Sequence, residues 1–229
     1  MNRRAFACAL IALPLAAAGC GGSSSSQPPP ATLPTTTAAK LMVLTVYRLS
    51  DGNLSAETVE VPATQAVAGA ALKALGLDAT VTISDGTATV DLPGATDEQI
   101  EEAVFTLTHF PTVQRVAIGG KTYTRSDFDG RVQPILVDTP AAHARVAKTF
   151  HVGGTASVFE ATVVVELEQG GKPVAHVTAT ASEGAPGRGS FDTTLTAPGT
   201  GPATVVAYAP SAEDGSPQHE VRVPIVITP

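Results

Sequence analysis

From Val132 to the end of the chain the helical period is absent, which restricts that half to strands and turns. Phe159, Ala161, Val163, Val165 and Leu167 alternate with Glu160, Thr162, Val164, Glu166 and Glu168, the pattern of a strand with one buried face. Turn-forming clusters recur at Gly153-Gly154, Gly170-Gly171, 184–189, 199–202 and Asp214-Gly215. Strand candidates lie at 134–137, 149–153, 157–167, 173–181, 190–196, 203–209 and 220–228. Roughly seven short strands at this spacing predict a β-sandwich. Pro224 cannot donate to a ladder, which places the last strand at an edge.

Before residue 130 the pattern is mixed. A β-rich run over 41–47 leads to the turn signal Ser50-Asp51-Gly52-Asn53, and 58–61 follows, stopped by Pro62. Val67, Ala70, Ala71 and Ala74 recur at helical spacing, predicting a small-faced helix over 64–75 closed by Gly76. Segments 79–84 and 87–92 flank Asp85-Gly86, a two-residue hairpin signal. Thr96-Asp97-Glu98-Gln99 reads as a capping box, with Ile100, Ala103, Val104 and Leu107 as the buried stripe behind it. Strands at 113–118 and 121–124 flank Gly119-Gly120. The expected fold class is α+β: a two-helix α/β sandwich with both helices on one sheet over 41–130, then an all-β immunoglobulin-like sandwich over 131–229.

The N-terminus adds a compartment. Met1-Asn2-Arg3-Arg4, an apolar stretch over 5–18 and small residues before Cys20 form a secretory signal over 1–19, too short to span a bilayer. Ala17-Ala18-Gly19-Cys20 resembles the lipobox of bacterial lipoproteins, with its leucine at Leu15 rather than at position 17. The resemblance implies cleavage ahead of Cys20 and a diacylglycerol thioether on its sulfur. At roughly 0.8 kcal/mol per buried methylene, two acyl chains hold a soluble body on a membrane. The competing reading is an ordinary cleaved signal with an unmodified cysteine. Residues 20–40, Gly/Ser-rich and then Pro/Thr-rich, have the composition of a solvated tether.

With Cys8 in the signal and Cys20 acylated, the mature domains have no thiol, which excludes a disulfide framework, a Cys zinc site and a cysteine nucleophile. Losing Arg3 and Arg4 takes the net charge from -7 to -9 and leaves no Lys/Arg cluster, so nucleic acid is not an expected partner. Asp127-Phe128-Asp129-Gly130 starts like a calcium loop but continues into Arg131-Val132-Gln133-Pro134 without a late glutamate, and reads as a solvated linker. Glu98, Glu101 and Glu102 fall in the first turns of a helix, where the dipole and water favour carboxylates over acid–base work. His109, His143, His151, His176 and His219 lack ligand spacing, and His109 reads as a cationic cap at a helix end. No catalytic, cofactor or metal residue is expected, and Cys20 is the one site residue, for lipidation.

Two segments resemble bacterial envelope modules. Val46-Tyr47 with Ser50-Asp51-Gly52, then 86–92, then Phe105-Thr106-Leu107-Thr108-His109-Phe110-Pro111-Thr112-Val113 resemble the GerMN domain of sporulation and spore-germination proteins over about 41–128. The chain departs from that family at Leu75-Gly76-Leu77-Asp78, where a longer insertion is usual. Pro134-Ile135, Pro140, 152–156, 158–161, Gly189-Ser190-Phe191 and Asp214-Gly215-Ser216 resemble the immunoglobulin-like domain of bacterial spore germination proteins over about 132–228. The GerMN fold is similar to ring-building domains, so the resemblance implies assembly or scaffolding. The expectation is a non-catalytic lipoprotein on the extracytoplasmic face of the cell membrane, docking envelope proteins or a second copy through strand edges near 121–124 and 221–227. The alternatives are a peptidoglycan-binding or peptidoglycan-remodelling protein and an accessory to a membrane sensor kinase.

Overall fold

The computed structural model describes residues 40–229, so the signal, Cys20 and the tether up to residue 39 lie outside the described residues. The chain from 39 onward forms one compact unit. β1 (Leu41–Ser50) and β2 (Asn53–Pro62) make a long hairpin, paired from Leu41–Pro62 to Ser50–Asn53. Its two-residue turn, Asp51 (φ 50) and Gly52 (φ 76), has the twist of flanking strands, so both extend further than the apolar runs alone suggest. α1 (Val67–Ala74) is shorter than the expected 64–75, because Thr64 Oγ1 accepts from Ala66 N–H (3.1 Å) and Ala66 is non-helical. It ends as a Schellman motif: Leu77 N–H reaches Leu72 O (2.9 Å), Gly76 N–H reaches Lys73 O (2.9 Å), and Gly76 takes φ 82.

β3 (Thr80–Ser84) and β4 (Thr87–Asp91) form the expected Asp85-Gly86 hairpin. α2 (Asp97–Leu107) carries the predicted box, with Gln99 N–H on Thr96 Oγ1 (3.2 Å) and Thr96 N–H on Gln99 Oε1 (3.0 Å). It crosses over to β5 (Arg115–Ile118), parallel to β4, and β6 (Lys121–Tyr123) closes the order β3-β4-β5-β6. The single sheet expected here is therefore two. The physical reason lies on β1: Thr106 Oγ1 accepts from Tyr47 N–H (2.9 Å) and a Glu102 oxygen from Leu49 N–H (2.8 Å). α2 thus occupies two of the amides a further strand would need.

The remainder is all β. β7 (Ile135–Thr139), β8 (Arg145–Val146), β9 (Thr149–Ala156), β10 (Thr162–Gln169), β11 (Lys172–Thr180), β12 (Gly189–Thr196), β13 (Gly201–Pro210) and β14 (Pro217–Ile227) form the sheets β11-β10-β13-β14-β8 and β12-β9-β7 around one core. Three expectations fail. Gly153-Gly154 is not a turn but the middle of β9, where a Cβ on Gly154 would overlap the Leu136 carbonyl oxygen of β7. The alternation over 159–161 is not strand: Glu160 (φ 53) and Ala161 (φ 55) are left-handed, Phe159 is 69% exposed, and β10 starts at Thr162. β14 is not the terminal strand, because Val226 and Ile227 pair with β8, which the sequence did not announce. Pro224 O accepts from His143 N–H (2.7 Å), so its missing N–H does face the side away from β13.

β7 joins the two halves. Ile135 and Val137 point into the C-terminal core, while Leu136, with Val132 and Ala141, belongs to the N-terminal one. The expected boundary at 130/131 lies just ahead of this shared strand.

Candidate functional site

The segment 124–142 is stitched to both halves. The solvated linker expected at 127–130 is instead a short 3-10 turn (Arg125–Phe128) with Phe128 only 5% exposed. Asp127 accepts from the Thr124 N–H (2.7 Å) and hydroxyl (2.9 Å), and the first of these bonds leads in holding its carboxyl below the usual range. The turn aims Arg125 inward. Its Nε donates to Thr108 Oγ1 (2.9 Å), Nη2 to Phe105 O (3.1 Å) and Nη1 to Asp138 Oδ1 of β7 (2.9 Å), with the guanidinium 4.9 Å from both the Tyr47 and Phe105 ring centres. Tyr47 donates its hydroxyl to Asp138 and lies 3.3 Å from His109 Nδ1. Burial, then the Asp138 charge, raises the Tyr47 phenol far above its ordinary value.

A second clamp comes from the loop before β12. Arg188 Nη2 donates to the carbonyls of Val132 (3.0 Å) and Gln133 (2.9 Å), Nη1 reaches Thr155 Oγ1 (3.3 Å), and Nε lies 3.5 Å from Asp129. Gln133 acts as a strand partner in miniature, taking Leu54 N–H (3.0 Å) and donating to Leu54 O (2.6 Å). Ala142 continues the zipper on β2, accepting from Thr58 N–H (2.9 Å) and donating to Ala56 O (2.7 Å). Beyond it opens a groove of 630 Å³ walled by Val43, Thr45 and Glu60 on the hairpin, by Pro140 and His143 on the loop into β8 and by Arg145 at the start of β8. His143 holds φ 66, a conformation that costs a non-glycine residue on the order of 1 kcal/mol or more.

The residues singled out from sequence do not converge. Glu98 is exposed and Glu102 is spent on Leu49 N–H, but Glu101 is 1% exposed, against the expectation of a solvated carboxylate. One Glu101 oxygen lies 3.2 Å from Arg131 Nε and the other has no partner. Burial raises its carboxyl, Arg131 opposes this, and Glu102 and Glu98 add to it. A carboxyl raised in the folded state withdraws stability as pH climbs through its folded value. Glu101→Gln is accordingly expected to melt above wild type at pH 8, with the gap closing below pH 4, read by circular dichroism.

His109 is not the cationic cap expected: Thr108 closes the helix, and burial followed by the Arg125 charge lowers the imidazole. His151 lies 3.2 Å from Asp192 on the surface, and His176 and His219 are exposed. Among the described residues no group of three or more His, Cys, Asp or Glu has metal-holding geometry, and no helix is long and apolar enough to cross a membrane. The clamps Arg125–Asp138 and Arg188–Val132 were missed because nothing local marks them; the arginines stand far from their partners in sequence.

Fold and clamps define a β-rich body of two modules built on a shared strand. Its residues 134–216 match the family of the immunoglobulin-like domain of bacterial spore germination, in agreement with the resemblance drawn over 132–228. Among solved structures, an engineered protein is 20% identical with a TM-score of 0.34 over 49% of this chain and 21% of its own. The tandem GerMN domains of the sporulation protein GerM from Bacillus subtilis are 16% identical with a TM-score of 0.32 over 82% of this chain and 61% of theirs. The chain thus spans about a fifth of the first and three fifths of the second. No curated protein matches it.

Proposed function

We propose that this chain is a non-catalytic lipoprotein of the bacterial cell envelope, held on the extracytoplasmic face of the membrane through Cys20, that presents a GerMN-like and an immunoglobulin-like module as one docking body. The observation that carries the reading is the zipper of β2 onto 133–142, since it fixes a groove with one wall from each module. Such pre-organisation is of use to a protein that recognises neighbours, because little ordering entropy is left to lose on binding. The lipobox-like Ala17-Ala18-Gly19-Cys20 supports the anchor, and the match at 134–216 supports a germination-type module in the envelope. The immunoglobulin-like part and the docking role do not require that the source organism sporulates.

The test has two arms. Cross-linking intact cells and recovering the full chain from membranes is expected to enrich a defined envelope protein or a second copy, and Cys20→Ala is expected to leave the membrane fraction. A chain that recovers no partner under cross-linking contradicts docking, and a Cys20→Ala form that stays with the bilayer contradicts the anchor.

A further inference from the structure

Among the described residues most sheet edges are guarded. β1 is covered at Tyr47 and Leu49 by Thr106 and Glu102 of α2, and β6 has three residues and begins with Lys121. β8 has two residues and carries Arg145. β11 starts Lys172-Pro173 beside a register shift at Leu167/Glu168, and β12 carries Asp192. The upper edge of β14 is broken by Pro217 and Pro224 and charged by Glu220 and Arg222. Lysine, proline, bulges and short length are the devices by which natural proteins keep foreign strands away. The edges expected from sequence to be open, near 121–124 and 221–227, are therefore the protected ones.

β3 has none of these devices. It is the terminal strand of its sheet, and Thr80-Val81-Thr82-Ile83-Ser84 contains no charge, no proline and no glycine. Its turn, Asp85 (φ 49) and Gly86 (φ 74), closes on the pair Ser84–Thr87. Antiparallel alternation then directs the amides and carbonyls of Thr80, Thr82 and Ser84 to β4 and those of Val81 and Ile83 outward. Among the described residues no bond from outside the sheet reaches Val81 or Ile83. Ile83 is 43% exposed, and beside it runs a groove of 520 Å³ lined by Val67, Gly69, Val81, Ile83, Phe110 and Thr112. Exposed Asp78 and Asp85 bracket the strand at its two ends.

We propose that the free edge of β3 is a strand-addition site for an extended segment of a partner protein, with an uncharged β-branched centre and a basic residue at each end. This rests on the docking reading above and adds to its inter-module groove a second surface, on the N-terminal module. Val81 and Ile83 supply the ladder, the groove receives alternate side chains of the added strand, and the two aspartates select the flanking charges. A second copy fits poorly: antiparallel self-pairing about Thr82 brings Asp78 of one copy beside Asp85 of the other at both ends, an unfavourable like-charge contact.

The test uses the full chain in detergent and two capped peptides, Lys-Thr-Val-Thr-Val-Thr-Lys and the same sequence with glutamate at both ends. The expected result is binding of the lysine-ended peptide at least tenfold tighter than the glutamate-ended one. Amide exchange at Val81 and Ile83 slows more than tenfold at saturation. Ile83→Lys, at an exposed position, keeps the wild-type melting temperature and loses the binding. Equal binding of both peptides, or protection confined to other residues, overturns the proposal, as does a wild-type dimer that Ile83→Lys dissociates. If cross-linked membranes yield the same partner for wild type and Ile83→Lys, the β3 site falls while docking stands; if wild type yields none, docking itself falls.

Discussion

Gly154→Ala is expected to destabilise the protein by at least about 4 kcal/mol, or to prevent folding, since overlap with a backbone atom in a packed layer belongs to the severe end of single substitutions. Gly154 sits in β9 between Val137 of β7 and Phe191 of β12. A Cβ would overlap the Leu136 carbonyl oxygen and stand 3.0 Å from Leu136 C and Val137 Cα, all main-chain atoms that no rotamer change can move. Relief requires β7 to move off β9, and β7 is the strand whose other face closes the N-terminal core through Leu136. The damage therefore reaches both modules. Gly199→Ala is the control: its nearest neighbour is the Gln169 side chain at 3.5 Å, and its cost should stay within about 0.5 kcal/mol. Urea titration of the two variants checks both numbers.

Asp138→Ala is expected to cost about 3 kcal/mol, because it leaves a half-buried cation without its counter-charge. Arg125 loses its carboxylate partner, Tyr47 loses its acceptor, and His109 remains beside a guanidinium that already disfavours its charging. For an ordered body of this size the melting temperature should fall by roughly 6–12 °C. Removing both charges is gentler than removing one, so Asp138→Ala with Arg125→Met should cost less than the sum of the single changes by about 1 kcal/mol or more. A double-mutant cycle by calorimetry reads that coupling. Additive losses would mean that Arg125 and Asp138 act independently, contrary to their 2.9 Å contact.

Much of the secondary structure is written locally. The capping box at Thr96, the Asp51-Gly52 and Asp85-Gly86 turns and Gly76 at the end of α1 each depend on a few neighbouring residues, and each falls where the sequence places it. What depends on distant partners is not legible in that way. Gly153-Gly154 looks like a turn because close approach of another strand leaves the same mark as a bend. Glu101 looks solvated because its helix position is visible and the layer over it is not. Arg125, Arg188 and Gln133 carry no motif at all, although they fasten the two halves, and their partners lie between 13 and 79 residues away. The open edge at β3 is legible only as an absence of charge, which gains meaning once most other edges are seen to be guarded.

Scanning calorimetry of the full chain tests most directly whether the two modules are one body. Fusion through β7 predicts a single transition whose calorimetric enthalpy equals its van't Hoff enthalpy. Two resolved transitions, with Asp138→Ala shifting only one of them, would show modules that fold apart and would remove the basis for a shared docking surface.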